Sequence, residues 1–140
     1  WWEDAETPVN LMASGDVVMV SAFNGRIFNG RKAGKPVLEV WNDGLRDADW
    51  WVITSNSKHP DVAQSFVAFA SEAAQQAVLP QHIPYGPANE AALDLLPVQV
   101  LQDLPTSAEH ASKMIFLDSE WWRENQEAVE VRWDEWLGKR

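Results

Sequence analysis

Asp47 and Asp49 stand two residues apart and run directly into the doublet Trp50-Trp51. In strand geometry that spacing puts Asp47, Asp49 and Trp51 on one face and Trp50 on the other. Two carboxylates beside an indole suit an ammonium group. The acids supply charge-assisted hydrogen bonds, and an aromatic face adds cation–π attraction. The same residues also admit a structural role, with Asp47 paired to Arg46 or Arg26 and Asp49 ending a loop. Tyr85, the only tyrosine, lies in Pro84-Tyr85-Gly86-Pro87 and is open to either loop packing or ligand contact.

Catalytic patterns are poorly supported. Acids at i and i+2 on one strand cannot flank a glycosidic bond, and no partner acid stands out. His59, His82 and His110 are scattered without metal-ligand spacing and are expected at the surface or in loops. There is no Gly-x-Ser-x-Gly elbow, dinucleotide fingerprint or phosphate-binding loop. Asn24-Gly25 and Asn29-Gly30 read as turn or helix-end residues. The expectation is a binding protein, not an enzyme, with neither metal nor cofactor.

Nine tryptophans include the doublets Trp1-Trp2, Trp50-Trp51 and Trp121-Trp122. An indole fills a core or grips a flat ring, a sugar face or a cation. A carbohydrate-binding module or glycosidase fragment is therefore an alternative reading. Trp133 and Trp136 fall on a helical stripe and are expected in the core, as is Trp41 at a strand end. Trp121 and Trp122 are adjacent, so at most one faces inward.

Acids outnumber bases 21 to 11, for a net charge of −10. That balance excludes a nucleic-acid partner, which needs concentrated Lys and Arg, and disfavours an anionic membrane surface. No stretch approaches the roughly 18 apolar residues of a membrane span. The absence of cysteine leaves the redox compartment unmarked. The chain opens on Trp1-Trp2-Glu3-Asp4 without a start methionine and reads as a piece of a longer protein.

The elements that must position these residues follow from local pattern. Thr7-Pro8 opens a short helix that stops near Gly15. Val17 to Ala22 reads as a strand buried on both faces, and Pro36 to Trp41 as a second. Between them Asn24-Gly25 leads a basic helix carrying Arg26, Arg31 and Lys32, closed by Gly34. Asn42-Asp43-Gly44 is a turn, followed by a strand ending at Thr54. Pro60-Asp61 opens another helix, Ser71 is placed to cap a short one, and residues 80–88 form an ordered proline-rich loop. Further helical turns cover 89–104. Asp118 caps a long helix to about Leu137, with the stripe Trp122, Val129, Trp133 and Trp136 spaced by seven, four and three. The fold class is α/β, richer in helix than strand.

Several segments resemble the extracellular solute-binding proteins of ABC transporters, with the spermidine/putrescine-binding group nearest. They are Gly15-Asp16-Val17-Val18-Met19 leading to Phe23-Asn24-Gly25, Gly34-Lys35-Pro36-Val37 with Trp41, Ile83 to Asn89, and Leu117-Asp118-x-x-Trp121-Trp122. The resemblance implies the C-terminal half of a two-lobed periplasmic-binding-protein fold of type II. Residues 1–47 would form part of the second lobe, 48–95 would return to the first, and 96–140 would pack back on the second as a helical segment.

Carried over by position, the resemblance makes Phe23 the cleft aromatic and Asp49 the acid that binds a ligand amine. It brings Tyr85 and Trp122 near the ligand; beside it, Trp50 and Trp51 are further candidate walls. Asp47 stands where the family usually has an aromatic. Arg26 stands where putrescine binders can carry an acid, and it can neutralise Asp47 or bind a ligand carboxylate. The implied function is capture of a small cationic, polyamine-like solute by a periplasmic or extracellular protein, or alternatively of a zwitterionic or carboxylate ligand. The implied partners are the ligand, an ABC permease, and the missing N-terminal half or another copy of the chain.

Overall fold

The computed structural model describes residues 2–139. Helix α1 (Thr7–Ser14) follows Glu6 as its cap residue and carries Pro8 in its first turn, where the missing N–H costs nothing. It ends where Gly15 takes a left-handed φ of 81°, its N–H reaching the carbonyls of Leu11 and Met12. Helix α2 (Asn24–Lys32) follows and packs on α1 through a core of Val9, Ile27 and Val37. Gly30 is required at that crossing: a Cβ there would stand 2.7 Å from Val9 Cγ1.

The strands expected at 17–22, 36–41 and 50–54 form no ladder among the described residues. Residues 37–41 keep a strand's period all the same. Val37, Glu39 and Trp41 turn inward while Leu38 and Val40 face out. An apolar run encodes the pleat and the wish for cover, but a strand also needs a neighbour to bond. The one sheet among the described residues is a parallel pair, β1 (Leu45–Arg46) and β2 (Ile115–Phe116), with Leu45 opposite Ile115. The turn before β1 is as expected, with Asp43 at φ 60° and the Gly44 N–H donating to the Trp41 carbonyl at 3.1 Å.

Helix α3 (Pro60–Ala70) leads to α4 (Ala73–Gln76), 3-10 turns at Leu79–Gln81 and Glu90–Leu95, α5 (Val98–Leu101) and α6 (Ala108–Ala111). Ala77, Ala92, Leu96 and Leu104 make the second core cluster. Ser71 does not cap α4. Its hydroxyl donates back to the Val67 carbonyl at 2.7 Å, a bond within reach of any serine in a last helical turn, and Glu72 takes the cap position.

Besides the β1–β2 pair, side-chain contacts also carry residues beyond 95 onto the first segment. Arg31 bridges Glu39 at 3.3 Å and Asp103 at 2.5 Å. Trp41, half-buried rather than core, stacks on His110 with ring centres 4.4 Å apart. His110 is buried, not a surface residue. Its Nδ1 lies 2.8 Å from the Leu104 carbonyl, which can only accept, so Nδ1 carries the proton. Sequence position alone cannot reveal a histidine that burial satisfies with a backbone carbonyl and an indole face.

Helix α7 (Ser119–Leu137) begins as expected, the Asp118 carboxylate accepting from the amides of Glu120 and Trp121 at 3.1 and 3.0 Å. It buries none of its residues. Trp133 and Trp136 are therefore not core residues. Their rings lie 5.0 Å apart and, with Val129 and Arg132, line an open groove of about 350 Å³. The stripe marked the apolar face correctly, but periodicity does not say whether another element lies on it.

Candidate functional site

The first group of site residues gathers at the start of α2. Phe23 is the cap residue, with extended backbone, 58% exposed and edge-on to Trp2 at 6.1 Å. The first turn of a helix leaves amides without intrahelical acceptors, which favours negative charge there. Those of Asn24 and Gly25 make no hydrogen bond among the described residues. The Asn24 side-chain amide donates to the Pro84 carbonyl at 2.5 Å and so pins the proline-rich loop to the helix. Gly25 lets the loop close in: a Cβ would meet Ile83 Cδ1 and the Tyr85 hydroxyl, each at 2.9 Å. Phe23 and the loop carrying Tyr85 thus both lie at one helix N-terminus.

Arg26, in the first turn of α2, does not neutralise Asp47. It pairs with Glu6 through Nη1 at 2.5 Å, with the two side chains 43% and 47% exposed. The Asp47 carboxylate instead accepts from the neighbouring Ala48 amide at 2.8 Å. Asp49 is exposed and makes no hydrogen bond or ion pair among the described residues. Trp50 is 75% exposed, while Trp51 rests edge-on against Phe66 of α3 at 5.4 Å.

Asp47, Asp49 and Trp50 leave the end of β1, and Trp122 follows the end of β2. Because β1 and β2 are parallel neighbours, both segments emerge at the same carboxyl edge, where α/β sheets place their ligands. The Leu117 N–H donates to the Arg46 carbonyl at 2.8 Å and extends the pairing to that edge. Trp122 is 37% exposed and edge-on to Trp121 at 5.3 Å. The structure therefore places Phe23 and Arg26 at the start of α2 with Tyr85 against Gly25, and the segments carrying Asp47, Asp49, Trp50 and Trp122 after the paired strands; no hydrogen bond, ion pair or ring contact joins the two groups among the described residues.

Sequence reasoning missed Glu6, Asn24 and Trp2. Glu6 lies twenty residues from Arg26, and no local signal links them. The Asn24-Gly25 pair signals a turn or helix end, and only the fold shows that the Asn24 side chain fixes the loop. In the support beneath, burial pushes the Glu39 carboxyl above its ordinary 4.5. At the exposed surface, the Lys113 ammonium bonded to Glu109 holds that acid below its ordinary value. No cluster of three metal-ligating side chains exists among the described residues. No helix among them is long and apolar enough to cross a membrane.

The architecture is part of a periplasmic-binding-protein fold. Solved structures agree. The PBP AgtB of A. tumefaciens R10, in complex with agropinic acid, is 35% identical with a TM-score of 0.79, over 97% of this chain and 43% of that one. An ABC transporter substrate-binding protein from Bradyrhizobium japonicum USDA 110 is 27% identical with a TM-score of 0.83, over 96% and 43%. The PBP MotA of A. tumefaciens B6 in complex with glucopine, at 22% identity and a TM-score of 0.78, shows the fold alone.

The chain belongs to the bacterial extracellular solute-binding proteins, whose family model matches residues 1–108. It is also 36% identical, over 99% of its length, to the gamma-aminobutyric acid-binding protein of Pseudomonas aeruginosa PAO1. It spans about 40% of the length of that relative.

Proposed function

We propose that the whole protein is the substrate-binding component of an ABC importer, in the periplasm or outside the cell. Its ligand is a small molecule carrying both an amine and a carboxylate. Arg26 carries this reading: a cation in the first turn of the helix that Phe23 caps suits a carboxylate and opposes a diamine. Phe23 and Tyr85 hold the aliphatic part, and Asp49 takes the ammonium, with Asp47, Trp50 and Trp122 at the same sheet edge. The relatives named for gamma-aminobutyric acid and agropinic acid support the carboxylate. The spermidine/putrescine reading rests on Asp47, Asp49 and Phe23 and gives the Arg26 guanidinium no part in binding the ligand.

In the two-lobed frame we assign residues 1–47 to one lobe, 48–95 to the other, and 96–140 back to the first. The Arg31–Asp103 pair and the Trp41–His110 stack support the last step. Under this assignment, Asn24 on Pro84 and Gly25 on Tyr85 are contacts across the cleft. The remainder of the protein would cover Val18, Met19, Leu38 and Val40, which are 76–96% exposed. Closure removes water from the charged ends and strengthens their attraction, and the closed form is what a permease partner would recognise.

Calorimetry on the full-length protein with γ-aminobutyrate, putrescine and spermidine tests the reading. Binding of the amino acid in preference to either polyamine is expected. Preference for a polyamine overturns it.

A further inference from the structure

Building on that reading of Arg26, we propose that Glu6 is a specificity-determining residue. Its carboxylate occupies the guanidinium that a ligand carboxylate must engage, and so sets the preference between amino-carboxylates and diamines. Glu6 holds the N-cap position of α1 yet makes no capping bond. Its carboxylate turns to Arg26 Nη1 instead. The docking of α1 on α2 brings it there. Val9 lies one turn beyond Glu6 and seats on Gly30, one turn beyond Arg26, so the apolar contact and the ion pair repeat along a single helix crossing.

Charge decides what this does. Glu6 neutralises Arg26, which leaves Asp47 and Asp49 to dominate the field a ligand meets. A ligand carboxylate seeking the two-pronged guanidinium geometry must share or displace Glu6. Displacement is feasible because both partners are about half exposed, and exposed ion pairs contribute only modestly. Glu6 is thus an internal competitor that holds down affinity for the carboxylate end.

The test is calorimetric titration of full-length wild type, Glu6→Gln and Glu6→Ala with γ-aminobutyrate and with putrescine. Thermal melts alongside confirm folding, and neither substitution removes a helix cap. Both variants should bind γ-aminobutyrate roughly 1.5- to 5-fold more tightly, the worth of one exposed ion pair. Putrescine should bind no better than to wild type. An unchanged or weaker γ-aminobutyrate affinity in both variants overturns the role of Glu6 and leaves the reading of Arg26 standing. A wild type that ignores γ-aminobutyrate overturns both.

Discussion

The imidazole of His110 lies on the indole of Trp41 with ring centres 4.4 Å apart and planes within 13° of parallel. The stack joins the end of the first extended segment to the helix that precedes β2. It therefore anchors the two chain segments that build the parallel pair. His110 is fixed from its other side by the Nδ1 bond to Leu104, itself fully buried. Trp41→Ala removes the indole and its stacking and should cost about 2–4 kcal/mol of unfolding free energy. His110→Phe keeps a ring on Trp41 but leaves the Leu104 carbonyl unsatisfied, at a cost of about 1–3 kcal/mol. Urea denaturation of the full-length protein measures both. A loss below the error of the fit in either variant contradicts this account of the junction.

A second prediction concerns the helix crossing. Gly30→Ala gains up to about 1 kcal/mol of helix propensity but drives a methyl into Val9 Cγ1. Val9 is fully buried and its branched side chain has little freedom to move. Overpacking should win, for a net loss of about 1–2 kcal/mol. The double variant Gly30→Ala with Val9→Ala should lose less than the sum of the single changes. Additive losses in that cycle mean the two residues do not touch.

The third prediction is a pH dependence. Burial raises the Glu39 carboxyl, opposed by a backbone hydrogen bond and by Arg31. Between its ordinary 4.5 and the higher folded value, the folded protein holds this proton more tightly than the unfolded chain does. Stability from this group is therefore complete below 4.5 and declines as pH rises through the folded value. Glu39→Gln does not titrate. The stability of wild type minus that of Glu39→Gln should fall as pH rises above 4.5. A difference that is flat or rises with pH contradicts the burial account.

Local signals made the helices legible. Gly15, Pro60 and Asp118 mark ends that depend on a few neighbouring residues, and α1, α3 and α7 start or stop where those residues stand. The strands were not legible as paired strands. Val37, Glu39 and Trp41 show the expected alternation, but pairing depends on a neighbour distant in sequence. The site divides in the same way. Phe23, Arg26 and Tyr85 could be named one by one, whereas Glu6 beside Arg26 and Asn24 on Pro84 are contacts made only by the fold.

Gly25 supplies a prediction about the binding wall. A methyl at this position meets Ile83 and Tyr85, so Gly25→Ala should push the loop off the helix start. Affinity for γ-aminobutyrate should drop about ten-fold through one lost aromatic contact, and overpacking at this buried glycine should cost about 1–2 kcal/mol of unfolding free energy. Calorimetry paired with urea denaturation separates the two. Wild-type affinity in this variant removes Tyr85 from the binding wall.

The most direct test of the central claim is the affinity of full-length Arg26→Met for γ-aminobutyrate, measured by calorimetry beside wild type. Losing the guanidinium leaves a ligand carboxylate unpaired, which typically costs about 2–5 kcal/mol, or roughly thirty-fold or more in Kd. Such a weakening, with no loss of affinity for putrescine, is the predicted result. An unchanged affinity for γ-aminobutyrate would show that Arg26 does not bind the ligand and would contradict the account.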